Sequence, residues 1–192
     1  MTQTETLRSI EGVVLPPAGT WVFDPAHTSI EFVARHMLAK VRGRFNAFDG
    51  TIVIADRLED SSAVVEIDAA SLETKTDMRD NHLRSADFLD VERYPKLAFR
   101  STEVRPIGGS AFQLVGDLAI KDISHPVVLD AEFLGWGPGP SADSPTKAFF
   151  SARTEIDREA WDMTWNVAVE TGGFLVGKRV QIEIEAELNL RT

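Results

Sequence analysis

Cysteine is absent from this chain of 192 residues, which excludes disulfide bonds, thiol catalysis and cysteine-ligated metals. Long apolar runs are also missing. No stretch approaches the roughly 18 apolar residues of a membrane-spanning helix. Residues 1–19 lack the basic opening and the apolar core of a secretory signal. Read from its printed start, the sequence therefore predicts a cytoplasmic protein without stable membrane insertion.

Basic residues are in the minority, with Lys+Arg 20 against Asp+Glu 30 and a formal net charge of −10. A surface with this balance repels phosphate backbones, so we expect no nucleic-acid partner. The composition is 43% apolar and 26% charged, which is typical of a globular protein. A chain of this length most simply forms one domain.

Alternation of apolar and polar residues is the dominant pattern. From Val180 to Leu190 each even position is apolar and each odd position between them is polar. Because side chains alternate faces along a strand, this segment has one dry and one wet face. Weaker alternation elsewhere brings the number of predicted strands to about eight or nine. The wet faces and short connections favour antiparallel pairing, either in two packed sheets or in one closed barrel.

Two segments depart from this alternation. Thr76 to Leu89 instead places apolar residues near one helical face, and Asp80 precedes Arg84 by four residues, the favourable order for an ion pair on a helix. The sequence therefore predicts one helix inserted between two strands. Residues 1–19 have no sustained periodicity and predict a flexible or extended tail before a single domain at 20–192.

Motifs that carry chemistry are not evident. The histidines at 27, 36, 82 and 125 lack the spacing of zinc ligands, so we predict no metal site. Nucleophile-elbow, phosphate-loop and dinucleotide motifs are missing too, and carboxylates are abundant without one pair standing out. The sequence therefore predicts no cofactor and identifies no catalytic residue.

Phenylalanine is abundant, at 11 residues, whereas tyrosine occurs once. Many of the aromatic side chains lie on the apolar faces of predicted strands. A barrel of about eight strands either fills its interior with side chains or keeps room for one apolar ligand, and the pattern leaves both open. The candidate ligand-binding residues of a hollow interior are Phe32, Phe45, Phe99, Phe112, Leu114, Phe133, Phe150, Trp161 and Trp165.

Several stretches between Gly19 and Leu190 carry a resemblance to a known family. They are Trp21–Phe32 with His36, Gly43–Phe45 with Phe48–Gly50, Thr74–Pro95, Gly116–Lys121 with His125–Val127, Glu155–Arg158 and Val176–Val180. In these stretches, and in their order, the chain resembles the YceI-like family of lipocalin-like lipid-binding proteins. The resemblance implies an extended antiparallel β-barrel with an elongated apolar tunnel.

The same resemblance implies a ligand and its contacts. Members of the family hold polyisoprenoids, isoprenoid quinones or similar amphiphiles, often as homodimers. The helix would then lie at one end of the tunnel, with His82, Arg84 and Asp87 as candidate partners of a polar head group. Our main prediction is a protein that binds, and carries or stores, a polyisoprenoid, a quinone-like lipid or a fatty-acyl compound.

Two alternatives stay open at this point. One is an enzyme acting on an isoprenoid-like substrate, with proton transfer from the region of His82 and Asp87. The other is a barrel with a filled core that acts only through its surface or as a dimer.

Overall fold

The computed structural model describes residues 9–168 and 174–191, and most of them lie in antiparallel strands. The strands are β1 (Ser9–Ile10), β2 (Val13–Val14), β3 (Gly19–Phe23), β4 (Ser29–His36), β5 (Ala39–Phe45), β6 (Phe48–Ile54), β7 (Ser62–Asp68), β8 (Leu72–Glu73), β9 (Lys96–Gly108), β10 (Ala111–Ile120), β11 (Ile123–Gly137), β12 (Lys147–Asp157) and β13 (Val176–Leu190). Helix α1 (Asp77–Arg84) lies between β8 and β9. Short 3-10 turns cover Leu58–Asp60, Ala69–Ser71 and Arg158–Trp161.

The sheet closes on itself. Hydrogen-bonded neighbours follow the order β12, β11, β10, β9, β7, β6, β3, β13, and β13 pairs in turn with β12. Within the described ranges, eight strands thus form a closed antiparallel barrel. This confirms the predicted all-β, lipocalin-like barrel of about eight strands with one inserted helix.

Three further strands extend the barrel at one end. β13 pairs with β3 near its C-terminus and with β4 over the rest of its length, so β4 continues the line of β3. In the same way β5 pairs with β4, and β8 pairs with β5. The barrel is therefore longer on this side than the ring of eight strands alone.

The two ends of the barrel differ. At one end, called the mouth below, lie the β9–β10 turn, the C-terminal ends of β11 and β13 and the start of β3. At the other, called the helix end, lie α1 and the turn Arg158–Trp161. Buried Phe88, Leu89, Trp161 and Met163 form the hydrophobic core at the helix end.

The helix is shorter than the sequence predicted. It ends at Arg84, because the following residues turn inward and bury Phe88 and Leu89. The expected ion pair between Asp80 and Arg84 is wrong: Asp80 is buried and accepts hydrogen bonds from the backbone and hydroxyl of Thr74. Arg84 instead donates to backbone carbonyls. In the described part of the chain, no helix combines the length and apolar character needed to cross a bilayer.

Part of the N-terminal segment forms a hairpin that contacts the barrel mouth. β1 and β2 pair as a short hairpin, and Leu15 behind them is buried. Glu11 Oε2 accepts a hydrogen bond from Gly109 N, 2.7 Å away in the β9–β10 turn. Residues 1–8 lie outside the described ranges, and the flexibility of the predicted tail stays a prediction.

Candidate ligand-binding cavity

A cavity of about 440 Å³ lies inside the barrel. This volume is within the range of small-molecule pockets in proteins, about 300–1,000 Å³. Val176 and Leu188 both lie in its wall and are 12 positions apart in β13 (188 − 176). At about 3.3 Å per residue they are separated by about 40 Å along the strand. The cavity is therefore elongated along the barrel.

The interior is hollow rather than filled. Phe99, Phe112 and Phe150 line the cavity, yet each of them is only half-buried. Inward-facing side chains of a filled core would be buried among their neighbours at close-packed density. The sequence pattern left both a filled and a hollow barrel open, and the structure shows the hollow one.

The cavity is open at the mouth and covered at the helix end. The exposed residues of the cavity wall all lie at the mouth. They are Glu11, Pro106, Ile107, Gly108, Gly109 and Ala111. At the opposite end the wall contains buried Phe88, Leu89 and Met163. A ligand would therefore enter from the mouth.

Seven of the twelve predicted ligand-binding residues line this cavity. They are Phe32, Phe45, Phe99, Phe112, Leu114, Phe133 and Phe150. The ring of Phe150 packs edge-on against Phe112, with centroids 6.2 Å apart, and tilted against Phe133 at 5.3 Å. The strand alternation places these side chains inside the barrel, because every second residue of a strand faces the same side.

The other five predicted ligand-binding residues lie outside the cavity wall. Trp161 is buried in the core, where its Nε1 donates to Leu118 O at 3.1 Å. Trp165 packs against His82, with ring centroids 4.4 Å apart. His82 Nε2 lies 2.9 Å from Asp87 Oδ2, and Arg84 donates to the carbonyls of Ala70 and Leu72. These side chains support the helix end from outside the cavity.

Comparison with known proteins places this barrel in a family. A model of the YceI-like domain matches residues 21–188. The chain belongs to the YceI-like family.

Three known proteins illustrate the similarity of this YceI-like chain to others. A UPF0312 protein of Staphylococcus aureus strain USA300 is 36% identical over 174 residues, which cover 88% of this chain and 97% of that protein. The solved Campylobacter jejuni YceI protein is 27% identical with a TM-score of 0.70, covering 82% of this chain and 90% of that one. A polyisoprenoid binding domain from Saccharophagus degradans is 12% identical with a TM-score of 0.64, covering 89% and 98%, and shows the shared fold alone.

Arg158 is a residue of the cavity wall that the sequence analysis missed. It is 2% exposed and donates to Gly177 O at 3.0 Å, to Met163 O, and to Val176 O at 3.5 Å. Burial lowers the pKa of its guanidinium, while the charges of Glu159 and Asp157 act in the opposite direction. The β12 alternation could have revealed it, because the inward even positions continue past the strand to 158.

An ion-pair cluster on another part of the barrel contains the residue types of a metal site. Ligand atoms of Asp24, His27 and Glu187 lie within 4.8 Å of one another. However, Lys147 Nζ lies 2.9 Å from Asp24 Oδ2 and 2.5 Å from Glu187 Oε1, where it already supplies the positive charge. The hydrogen bond from Lys147 is the largest cause that lowers the pKa of Asp24 to about 2. We interpret this cluster as structural.

Proposed function

We propose that this YceI-like protein binds one long apolar amphiphile inside its barrel and carries or stores it. The candidate ligands are polyisoprenoids, isoprenoid quinones and fatty-acyl compounds. The observation that carries the proposal is the elongated, hollow cavity with an apolar wall and one open end. Burying a hydrocarbon chain there contributes about 0.8 kcal/mol per methylene group, without any directional contact. Affinity of this kind needs no polar motif.

The seven predicted residues in the wall are the proposed contacts of the apolar chain. Their aromatic rings leave room between them, so a flexible chain can lie along them. The Saccharophagus degradans domain of the same fold is described as polyisoprenoid binding. A polyisoprenoid is therefore the first ligand to test, and the quinone and the homodimer stay predictions.

The catalytic alternative has less support. His82 and Asp87 form a close pair, as proton transfer would require, but both lie outside the cavity wall. Phe88, which contacts the His82 ring at 5.1 Å between centroids, stands at the cavity instead. We therefore propose binding rather than turnover.

Two neighbouring residues of β12 allow a matched test. Phe150 faces the cavity, whereas Phe149 faces outward and is 37% exposed. We would measure binding of the neutral dye N-phenyl-1-naphthylamine and its displacement by a polyprenol, a quinone and a fatty acid. Phe150→Asp should abolish binding, because it places a charge in the apolar wall. Phe149→Asp should bind as the wild type does, and equal binding by both variants would overturn the proposed pocket.

A further inference from the structure

Arg158 is a charged group buried at the inner end of a cavity whose wall is mostly apolar. Its guanidinium carbon lies 5.7 Å from the centre of the Phe88 ring, and Phe88, Met163 and Val176 around it all line the cavity. Burying a charge costs several kcal/mol unless it is paired, so unpaired buried charges are rare. The burial of the Arg158 charge therefore requires an explanation.

The described residues offer Arg158 no carboxylate partner. Of the two acidic residues beside it, Glu159 binds Lys178 at 2.6 Å, and Asp157 accepts from the backbone N of Glu159. Arginine has five N–H donors, and three carbonyl oxygens accept from Arg158. In the described structure this leaves two donors and the positive charge without an acceptor of opposite sign.

Among the described wall residues, the unpaired charges at the two ends of the cavity have opposite signs. Glu11 stands at the mouth and Arg158 at the inner end, whereas Glu31, also in the wall, is paired with Arg42 at 2.6 Å. An anionic head group would be repelled at the mouth and attracted at the inner end. A long apolar tail would then lie along the aromatic wall towards the mouth.

We propose that Arg158 is a specificity-determining residue that binds the carboxylate of a long-chain acid, which lies head-first in the barrel. This inference rests on the proposed function and narrows its ligand class. The carboxylate accepts the two remaining N–H groups and neutralises the buried charge. A hydroxyl can also accept a hydrogen bond from Arg158, but only an anionic head group pairs the buried charge as well, so the head group contributes to selectivity beyond the apolar chain.

The first experiment compares two ligands of one chain length on the wild-type protein. Dodecanoic acid and dodecan-1-ol compete for N-phenyl-1-naphthylamine at a pH well above the carboxyl pKa. Because the tails are the same, their ratio of dissociation constants reports the head group. We expect the acid to bind at least about tenfold more tightly, as a charge-assisted hydrogen bond allows. Equal affinities would overturn the role of Arg158 while leaving the proposed function intact.

The second experiment uses a matched pair of arginine variants. Arg84 also donates to two backbone carbonyls, but it lies outside the cavity wall. In Arg158→Met the preference for the acid should disappear, so that dodecanoic acid and dodecan-1-ol bind about equally well. In Arg84→Met the preference should be unchanged.

Folding and binding failures can be separated. The wild-type comparison needs no variant, so a loss of fold in Arg158→Met cannot hide the answer. Retention of the acid preference in a folded Arg158→Met would overturn the inference. Failure of the dye and of both dodecyl ligands to bind the wild type would overturn the proposed function, and with it the head-group assignment.

Discussion

The ring of Phe99 lies against the backbone of Gly116 on the neighbouring strand β10. A Cβ at Gly116 would lie 2.5 Å from Phe99 Cζ and 2.5 Å from the carbonyl oxygen of Arg100. The pairing of β9 and β10 shifts register between Val115 and Gly116, so the strand is irregular at this point. Because Gly116 has no side chain, the ring of Phe99, which lines the cavity, can pack against the backbone of β10.

Gly116→Ala should destabilise the barrel. The new methyl group meets a backbone carbonyl that cannot move freely, so we expect a loss of about 1–3 kcal/mol in the free energy of unfolding. Urea denaturation followed by tryptophan fluorescence measures it. Gly137→Ala is the control, because nothing lies within 4 Å of a Cβ there. A similar loss in both variants would contradict the close approach described for Gly116.

Ala152→Phe should fill the cavity without damaging the fold. Ala152 faces the hollow interior and is half-buried, so a phenyl ring can enter space that is empty of side chains. We expect binding of the dye and of long-chain ligands to fall at least about tenfold, by loss of the buried methylene contacts. The free energy of unfolding of the apo protein should change by less than about 1 kcal/mol, whereas overpacking a filled core costs about 1–3 kcal/mol.

The control for this variant is Val128→Phe, which places the same ring on the outer face of β11. It should leave binding unchanged. Strong destabilisation by Ala152→Phe would indicate a filled interior, and unchanged binding would show that the ligand does not occupy this space.

Asp24 should contribute to stability in a pH-dependent way. Its pKa in the folded protein is about 2, against 3.8 as its ordinary value, chiefly because Lys147 donates a hydrogen bond to it. A lowered folded pKa means that the stabilisation is fully present above pH 3.8 and is lost as the pH falls to about 2. The shift corresponds to at most about 2 kcal/mol.

Asp24→Asn tests this contribution. The wild type should be the more stable protein at about pH 5, and the difference should shrink as the pH falls to about 2. Denaturant titrations at several pH values would measure it. A difference that is constant over this range would contradict the assigned ion pair with Lys147.

Glu11→Ala should speed the exchange of ligand through the mouth. The hydrogen bond from Gly109 N to Glu11 Oε2 joins the N-terminal hairpin to the β9–β10 turn beside the opening. Hydrogen bonds to charged groups stabilise a contact, although less where water reaches them as it does here, so we expect the hairpin to open more often without this one. Stopped-flow dissociation of the bound dye should be severalfold faster, and an unchanged rate would show that the hairpin does not control entry.

The sequence could predict which residues share the barrel interior, because the period of a strand is two. β13 and six of the wall residues follow from that rule, whereas Phe45 lies in a stretch that carries the family resemblance. The hollow interior could not be predicted, since it depends on the summed volume of side chains from every strand. Neighbouring residues of one strand carry no information about that sum.

Predictions at the helix end were less accurate for a different reason. The pattern of Thr76 to Leu89 was helical, but burial of Phe88 and Leu89 ends the helix at Arg84. The family resemblance made Arg84 a candidate partner of a head group. In the structure its side chain donates hydrogen bonds to the backbone carbonyls of Ala70 and Leu72. Such contacts lie between segments distant in sequence, whereas the inward position of Arg158 followed from alternation and was overlooked.

The central claim is that the barrel holds one long apolar ligand, and native mass spectrometry of the freshly purified protein tests it most directly. The account predicts a stoichiometric adduct of a few hundred daltons, which solvent extraction releases as a lipid. It also predicts that stripped protein regains such an adduct on incubation with a long-chain ligand. A mass equal to that of the bare chain, unchanged after incubation with polyprenols, quinones and fatty acids, would contradict the account.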